Sequence, residues 1–222
     1  MSREPAPDTA STSRRPRAAI TGASAGIGAA FARRLARDGY DLTIIARRSE
    51  RLRVLADELS HAYGCGVEVA VADLADAGQV KSLARSLSAD DRVRLLVNCA
   101  GFAGYKAFIA QDPGEVQSLI DVHVSATTRL TRAVLPTLVA RGAGAVINVA
   151  SLLAFSESLP VNPLPLRAVY TGAKAYLVAF TQAVNAELAG SGVSAQVCCP
   201  GVVATEFHAV EASTSHTHRS NR

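Results

Sequence analysis

Thr21-Gly-Ala-Ser-Ala-Gly-Ile-Gly28 directly follows a short apolar run and precedes a segment with apolar residues at helical spacing, Gly26 to Asp38. A glycine cluster between a strand and a helix is typical of a βαβ unit that binds a dinucleotide. Gly22 allows the tight exit from the strand, Gly26 lets the backbone approach a pyrophosphate, and Gly28 lets the helix pack close to the sheet. Backbone amides at the helix N-terminus then face the anion. The alternative is an ordinary strand-to-helix turn, which the flanking pattern disfavours.

Short β-branched runs alternate with longer helical segments along the rest of the chain. This alternation predicts an α/β fold, a single-domain doubly wound parallel sheet of about six strands with helices on both faces. The predicted strands are Ala18 to Thr21, Leu42 to Ala46, Val67 to Ala72, Arg94 to Asn98, Ala145 to Val149 and Ser194 to Cys198. The predicted helices are Gly26 to Asp38, Glu50 to Tyr63, Ala77 to Leu87, Pro113 to Ala140 and Tyr170 to Ala189. Ligands of such sheets bind beyond the carboxyl ends of the strands.

The composition fits one globular domain, because 222 residues with 49% hydrophobic content can form a substantial core. The 23 Lys and Arg against 19 Asp and Glu give a net charge of only +4, and no basic stripe suggests nucleic acid. The four cysteines form neither a C-x-x-C pair nor a secreted framework, which predicts apolar core residues or reduced thiols, and no metal site. No apolar stretch is long enough to cross a bilayer, so we expect no membrane partner and a cytoplasmic location.

The polar ends of the chain differ from its middle. Residues 1–16 mix Pro, Ser, Thr and charged side chains and are expected to form a disordered leader. Residues 17–207 carry the predicted domain. Residues 208–222 show no strand or helix periodicity and are expected to form a disordered polar tail.

Tyr170-Thr-Gly-Ala-Lys174 places a phenol and an amine one helical turn apart, on the same helix face. A nearby ammonium favours the phenolate and typically lowers the pKa of a tyrosine by about 1 to 3 units. Proton exchange near neutral pH would then be feasible. The same spacing is also common in helices without catalytic residues. Here the pair begins a long helix after the fifth strand, in a domain that also has the glycine turn, and this context favours a catalytic pair.

With Asn98-Cys-Ala-Gly101 and Pro200-Gly201 at strand ends, these motifs resemble the classical short-chain dehydrogenase/reductase family over roughly residues 17–207. The resemblance implies a Rossmann-like fold and hydride transfer between a nicotinamide cofactor and a carbonyl or secondary alcohol. It implies that Tyr170 is the general acid or base, and that Lys174 also holds the nicotinamide ribose.

The family also places a serine at the end of the fifth strand, where its hydroxyl bonds the reacting oxygen. Ser151 fits that location and is our candidate. It precedes Tyr170 by 19 residues, which is longer than the usual family spacing, so a proline-rich loop must be accommodated between them. Ser156 and Ser158 are closer to the usual spacing but lie off the strand end, and an exposed structural serine is the remaining alternative.

Ala46-Arg47-Arg48 ends the second strand, where an enzyme that uses NAD usually presents an acidic residue to the ribose 2′-hydroxyl. Guanidinium groups suit a 2′-phosphate instead, so we predict NADP (NADPH) as the cofactor, with Arg47 the better candidate. The alternative is a solvated basic helix start. By resemblance Asp73 meets the adenine ring, although an aspartate there equally suits a helix cap.

The remaining cofactor candidates share a position in a turn at the end of a predicted strand. Asn98 is expected to stabilise the sheet rather than take part in chemistry, and the Thr205 hydroxyl is expected to approach the carboxamide of the cofactor. The full predicted set is Gly22, Ser24, Gly26, Ile27, Gly28, Arg47, Arg48, Asp73, Leu74, Asn98, Ala100, Gly101, Tyr170, Lys174, Pro200, Gly201, Val203 and Thr205.

Two further departures from the family bear on activity. His123 occupies the position of an asparagine that holds a proton-relay water in the family; it could replace that asparagine in the relay or be a hydrogen-bonded core histidine. The family pattern stops after Phe207, so the C-terminal part of the family fold is expected to be missing.

Two functions from different classes therefore stay open. One is an NADP-dependent oxidoreductase of a small-molecule carbonyl or alcohol; the other is a catalytically weak cofactor-binding protein that acts through partners. By resemblance we also expect a homodimer or homotetramer formed through the helices at residues 113–140 and 170–189.

Overall fold

A computed structural model of the chain describes residues 15–162 and 164–201. Six strands form one sheet: β1 (Arg17–Thr21), β2 (Asp41–Ala46), β3 (Val67–Val71), β4 (Val93–Asn98), β5 (Gly144–Val149) and β6 (Val193–Cys198). All of them are parallel, in the order β3-β2-β1-β4-β5-β6. The predicted doubly wound sheet of six strands is confirmed, with each boundary within one residue of the prediction.

Helices cover both faces of the sheet. They are α1 (Gly26–Arg37), α2 (Ser49–Tyr63), α3 (Ala77–Ala89), α4 (Pro113–Ile120), α5 (Thr127–Arg141) and α6 (Ala168–Glu187). Short 3₁₀ helices at Phe108–Ala110 and Leu152–Phe155 were not predicted.

The prediction of one helix from Pro113 to Ala140 is wrong. A π-helical segment, Asp121–Ala126, separates α4 from α5. A π turn contains an additional residue, so the side chains that follow it face a different direction from those of a continuous α-helix. Val122, His123 and Ala126 are all buried in this segment. Periodicity at 3.6 residues per turn cannot detect this change of register.

The core has two layers because alternate residues of each strand point to opposite faces. Ala18 and Ile20 of β1 pack on the side of α1 and α2. Ala19, between them, packs on the side of α3 and α5. Burial on both faces explains why these strands are continuous apolar runs.

A ladder of buried polar side chains crosses the centre of the sheet. Asn98, the last residue of β4, donates through Nδ2 to Asn148 Oδ1 at 2.9 Å and to Thr131 Oγ1 at 3.1 Å. Asn148 Nδ2 donates in turn to Thr181 Oγ1 at 2.9 Å. The ladder therefore links β4 and β5 to α5 and α6. Asn98 has the sheet-stabilising contacts that its sequence position suggested.

The strand order reverses between β1 and β4, which is where ligands of doubly wound sheets bind. Thr21 Oγ1 accepts hydrogen bonds from the amides of Cys99 and Ala100 at 2.9 and 3.0 Å. Gly22 has φ of +70°, and a Cβ atom there would lie 2.8 Å from the Ala100 backbone. The turn after β1 and the loop after β4 are thus in direct backbone contact, which requires glycine at position 22.

Gly28→Ala should destabilise the protein, whereas Gly172→Ala in an open part of α6 should not. A Cβ atom at Gly28 would lie 2.3 Å from the Gly22 carbonyl oxygen, while one at Gly172 meets nothing within 4 Å. We expect a loss of about 1–3 kcal/mol for Gly28→Ala and a gain of up to about 1 kcal/mol for Gly172→Ala. Urea unfolding followed by circular dichroism measures both. Equal effects of the two changes would contradict the close contact between α1 and the β1 turn.

Candidate active site

Tyr170 and Lys174 lie on the buried face of α6, each only 4% exposed. Lys174 Nζ donates to the Val149 carbonyl at 2.8 Å and lies 5.6 Å from the centroid of the Tyr170 ring. Ser151 follows β5 by two residues, and its side chain hydrogen-bonds that of Tyr170. The structure therefore brings the three predicted side chains together at the carboxyl end of β5.

Burial dominates the electrostatics of this group. It raises the pKa of Tyr170 to about 12, with the neighbouring Tyr105 adding to the effect and the Ser151 hydrogen bond opposing it. Burial lowers the pKa of Lys174 to about 8. The expectation that the pKa of Tyr170 would be lowered is wrong for this structure, because burial and Tyr105 raise it by more than the Ser151 hydrogen bond lowers it. At neutral pH the phenol is protonated and the amine is mostly charged.

Ser151 is distinguished from the other two serine candidates by its surroundings. Its Oγ accepts the Leu153 amide at 3.2 Å, which caps the 3₁₀ helix Leu152–Phe155 and fixes the hydroxyl next to Tyr170. Ser156 Oγ is occupied by other contacts, since it donates to the Leu153 carbonyl and accepts from Arg167. Ser158 is exposed. The longer spacing has not displaced Ser151 from the strand end.

His123 is buried in the π-helical segment, with its ring 5.6 Å from that of Tyr170 in an edge arrangement. Its Nε2 lies 3.2 Å from the Phe102 amide and 2.9 Å from the Phe102 carbonyl oxygen. A neutral ring nitrogen either donates or accepts, so Nε2 forms a hydrogen bond with the Phe102 amide or with the Phe102 carbonyl but not with both. Nδ1 has no partner among the described residues. Burial and the charge of Lys174 lower the pKa of His123 well below 6.5, which keeps the ring neutral.

Tyr105 belongs to the site but was missed in the sequence. Its ring meets that of Tyr170 edge-on, with centroids 5.8 Å apart. The sequence did offer one indication: Tyr105 comes four residues after Gly101, and loops that follow a central parallel strand border the ligand crevice. The irregular loop after β4 gave no periodicity to indicate which way the side chain points.

The glycine turn has the features that a pyrophosphate requires. Gly22 and Gly28 both lie against backbone atoms, so a larger side chain would close the approach. No side chain among the described residues caps α1, whereas Asp76 Oδ1 caps α3 by accepting the Gly78 and Gln79 amides. The α1 amides are therefore left for an anion. These residues fit a dinucleotide.

Two arginines lie beside this turn. Arg48 donates through Nε and Nη2 to Ser24 Oγ at 3.1 and 3.0 Å. Arg47 lies at 3.8 Å from Asp73, with 69% of its side chain exposed. The alternative that Asp73 caps the next helix is wrong, because Asp76 holds that position and Asp73 Oδ1 accepts the Ala75 amide instead.

Most of the other cofactor candidates lie near the glycine turn or at a strand end, and two lie outside the residues that the structure describes. Ile27, Ala100 and Gly101 are half-buried around the turn, and Leu74 is buried in the core. The Pro200 carbonyl accepts the Leu152 amide at 3.0 Å, which ties the end of β6 to the segment after Ser151. Val203 and Thr205 lie outside the described residues, so their assignment stays a prediction, as do the leader and tail assigned to residues 1–16 and 208–222.

No group of three metal-binding side chains occurs within residues 15–162 and 164–201. Within the same ranges, none of the helices combines the length and apolarity that crossing a membrane demands.

Comparisons with known proteins agree with this geometry. A family model described as short chain dehydrogenase matches residues 16–215. The chain is 38% identical over 196 residues to sulfoacetaldehyde reductase 2 of Chromohalobacter salexigens, covering 85% of this chain and 73% of that protein. It is 31% identical over 194 residues to inactive hydroxysteroid dehydrogenase-like protein 1 of Homo sapiens, covering 86% and 57%.

Solved structures of short-chain dehydrogenases are also similar to this chain. A short-chain dehydrogenase from Sphingobium yanoikuyae in complex with NADPH has a TM-score of 0.84 and 35% identity, covering 89% of this chain and 75% of that one. The chain spans only about three fifths of the length of several curated relatives.

The buried His123 should make the protein less stable in acid. The unfolded chain takes up a proton on this imidazole as the pH falls below about 6.5, and the folded chain does not, so stability is lost in that direction. We expect the free energy of unfolding to fall more steeply between pH 7 and pH 5 in the wild type than in His123→Asn. Urea titrations at several pH values measure this; parallel curves for the two proteins would contradict it.

Proposed function

We propose, from the premise that this chain belongs to the short-chain dehydrogenase family, that it transfers hydride between NADP(H) and a carbonyl or secondary alcohol. Proteins of this family are oxidoreductases that bind a nicotinamide cofactor. The observation that carries the proposal is the convergence of Ser151, Tyr170 and Lys174 at the end of β5, beside a glycine turn that fits a dinucleotide.

Tyr170 is the proposed proton donor in the direction of reduction. Its raised pKa keeps the phenol protonated at neutral pH, so it can deliver a proton to a carbonyl oxygen. A nicotinamide held at the glycine turn would supply the hydride. Ser151 donates a hydrogen bond to the same oxygen. Lys174, 5.6 Å from the phenol ring, stabilises the phenolate that forms as the proton leaves.

In this proposal His123 holds the loop after β4 in position beside Tyr170. Its Nε2 bonds the backbone of Phe102, in the loop that carries Tyr105, so the ring fixes the loop wall beside the phenol. A Cβ atom at Gly101 would lie 2.4 Å from His123 Cε1, which shows how tightly the imidazole fits there. Of the two nitrogens, Nδ1 is the one left to take part in a proton relay.

NADP is the proposed cofactor because two guanidinium groups lie beside the glycine turn, at the end of β2. Arg48 is oriented by Ser24 within the glycine turn, and Arg47 is more exposed beside it. A 2′-phosphate would receive charge-assisted bonds from both guanidinium groups, whereas the 2′-hydroxyl of NAD carries no charge for them to bind. The solved relative with NADPH bound supports this preference.

A catalytically weak cofactor-binding protein is the second candidate. Two points favour it: by resemblance to the family, His123 stands where an asparagine is usual, and a human relative at 31% identity carries the name of an inactive protein. NADPH oxidation measured against a panel of ketones and aldehydes separates the two functions. Tight NADPH binding without turnover of any substrate would favour this second candidate.

Tyr170→Phe should lower kcat for NADPH-dependent reduction by about 10² to 10⁴, because it removes the proton donor. The dissociation constant for NADPH should change less than about threefold, since the ring and Lys174 remain. Tyr176→Phe is the matched control: its hydroxyl lies on the same helix, 2.9 Å from Thr128 Oγ1. Stopped-flow or steady-state absorbance at the nicotinamide band measures turnover, and fluorescence titration measures binding. Full activity of Tyr170→Phe would remove the assignment.

Arg47→Ala and Arg48→Ala should each weaken NADP binding by about tenfold or more, because each loses a charge-assisted contact with the 2′-phosphate. NAD binding should change by less than about threefold, since NAD lacks that phosphate. Arg53→Ala, on the exposed face of α2, controls for loss of a nearby positive charge. Calorimetric titration of both cofactors measures the effect. Wild-type protein that binds NAD as tightly as NADP would refute the preference.

A further inference from the structure

Arg167, the residue before α6, is a buried cation whose hydrogen-bond acceptors are all uncharged. It is only 6% exposed. Its guanidinium donates to the hydroxyl and the carbonyl of Ser156, both at 2.7 Å, and to the carbonyls of Pro165 at 2.8 Å and Leu159 at 3.0 Å. Within residues 15–162 and 164–201, no carboxylate lies at ion-pair distance from it. These bonds satisfy donors but do not neutralise the charge.

A buried charge of this kind favours a bound anion. Removing a guanidinium from water is costly unless an opposite charge compensates for it, and neutral carbonyls do so only in part. A guanidinium has five N–H donors, and the bonds of Arg167 occupy four of them. Among the described residues Nη1 bonds only the Pro165 carbonyl, so one of its two N–H groups is left. Arg167 therefore keeps a charge and a donor for a ligand.

Thr171 supplies a second donor in the same place. Both Arg167 and Thr171 line a groove of about 510 Å³. The Arg167 carbonyl accepts the Thr171 amide at 2.8 Å, so the two residues are one helical turn apart. The Thr171 hydroxyl is buried, and no residue in the described part of the chain hydrogen-bonds it. Buried hydroxyls are normally hydrogen-bonded, so this one is accounted for if a ligand occupies the groove.

The N-terminus of α6 adds a third favourable feature. This helix has 20 residues, and no side chain of the described ranges caps its start. The first backbone amides of a helix lack intrahelical partners, and the helix dipole places partial positive charge there. Ala168, the first residue of α6, is exposed and lines the groove, so these amides lie where a ligand can reach them. Anions bind at such helix ends.

The other charged side chains of the groove favour a ligand with a single negative charge. Lys106 is paired with Glu115 through contacts of 2.7 and 3.0 Å, so this pair adds no net charge. Glu157 also lines the groove and would repel a dianion about twice as strongly as a monoanion. Phe108 and Phe155, at its opening, are 61% and 58% exposed and offer contact to an apolar group. A carboxylate on an apolar ring meets these conditions better than a phosphate.

We propose that this groove binds a small molecule with one carboxylate and an apolar body, held by the Arg167 guanidinium and the Thr171 hydroxyl at the start of α6. None of the side chains that meet at the Tyr170 phenol lines the groove. The ligand is therefore distinct from the carbonyl substrate. The site does not depend on the proposed hydride transfer, and its test needs no turnover.

Binding of benzoate to the full chain tests the site, with benzamide as an uncharged analogue of nearly the same shape. Calorimetric titration at pH 7 and constant ionic strength, without NADPH, measures both. We expect benzoate to bind with a dissociation constant of about 1 mM or tighter, and benzamide to bind at least about tenfold more weakly. Equal binding of the two compounds, or no binding of benzoate, would overturn the proposal.

Substitutions in the groove should shift benzoate binding in opposite directions. Arg167→Gln should raise the dissociation constant about tenfold or more, because it removes the charge, and Thr171→Val about threefold, because it removes only the hydroxyl. Glu157→Gln should lower it about twofold, since it removes a repulsion. Arg53→Gln, on the exposed face of α2, controls for loss of a distant arginine and should have no effect. Unchanged binding in all three groove variants would overturn the site.

Arg167 also holds the loop before α6, so circular dichroism checks that Arg167→Gln folds. Thr171→Val and Glu157→Gln leave the loop contacts intact, and their opposite shifts support the site even where Arg167→Gln is unfolded. Tyr170→Phe should leave benzoate binding unchanged, because the phenol lies outside the groove. Benzoate binding that is lost in Tyr170→Phe and unaffected in Thr171→Val and Glu157→Gln would place the anion at the phenol and overturn the proposal.

Discussion

The hydrogen bond between two buried amides, from Asn98 Nδ2 to Asn148 Oδ1 at 2.9 Å, holds the rest of the site in position. It joins the carboxyl ends of β4 and β5, and each amide also bonds a threonine hydroxyl on a helix behind the sheet. Because Asn148 reaches Thr181, the sheet fixes α6, the helix that carries Tyr170 and Lys174. A buried amide left without its partner costs about 1–3 kcal/mol, so this arrangement is strongly preferred over alternative packings of α6.

Burial around the same point sets the charges of the proposed catalytic group. Tyr170, Lys174 and His123 are each almost fully enclosed, and enclosure shifts each pKa toward the neutral form. One charge survives at neutral pH, because the Val149 carbonyl accepts from Lys174 Nζ at 2.8 Å and offsets part of the lost hydration. The result is a protonated phenol beside an ammonium, with a neutral imidazole next to them. That combination suits delivery of a proton to a substrate better than its removal.

The parts of this structure that follow from local pattern could be predicted from the sequence. The six strands, the glycine turn and the pairing of Tyr170 with Lys174 depend on spacings of two to six residues, which the chain displays directly. The parts that depend on long-range burial could not. The direction of the Tyr170 pKa shift, the contact with Tyr105 and the π-helical segment around His123 arise from side chains that meet only after folding. The same holds for Asp73 and Asp76, because both sit in suitable sequence contexts and only the geometry of the turn selects Asp76 as the cap.

The long spacing between Ser151 and Tyr170 has a simple structural consequence. Ser151 is fixed by β5 and the 3₁₀ helix after it, while Tyr170 is fixed by α6 and the amide ladder, so neither position depends on the length of chain between them. Additional residues can therefore be inserted without moving Ser151 or Tyr170, provided that something holds the longer loop. Arg167 does so with four bonds from one guanidinium, at the point where the loop enters α6. The contacts of Arg167 therefore let this loop differ in length while Ser151 and Tyr170 keep their places.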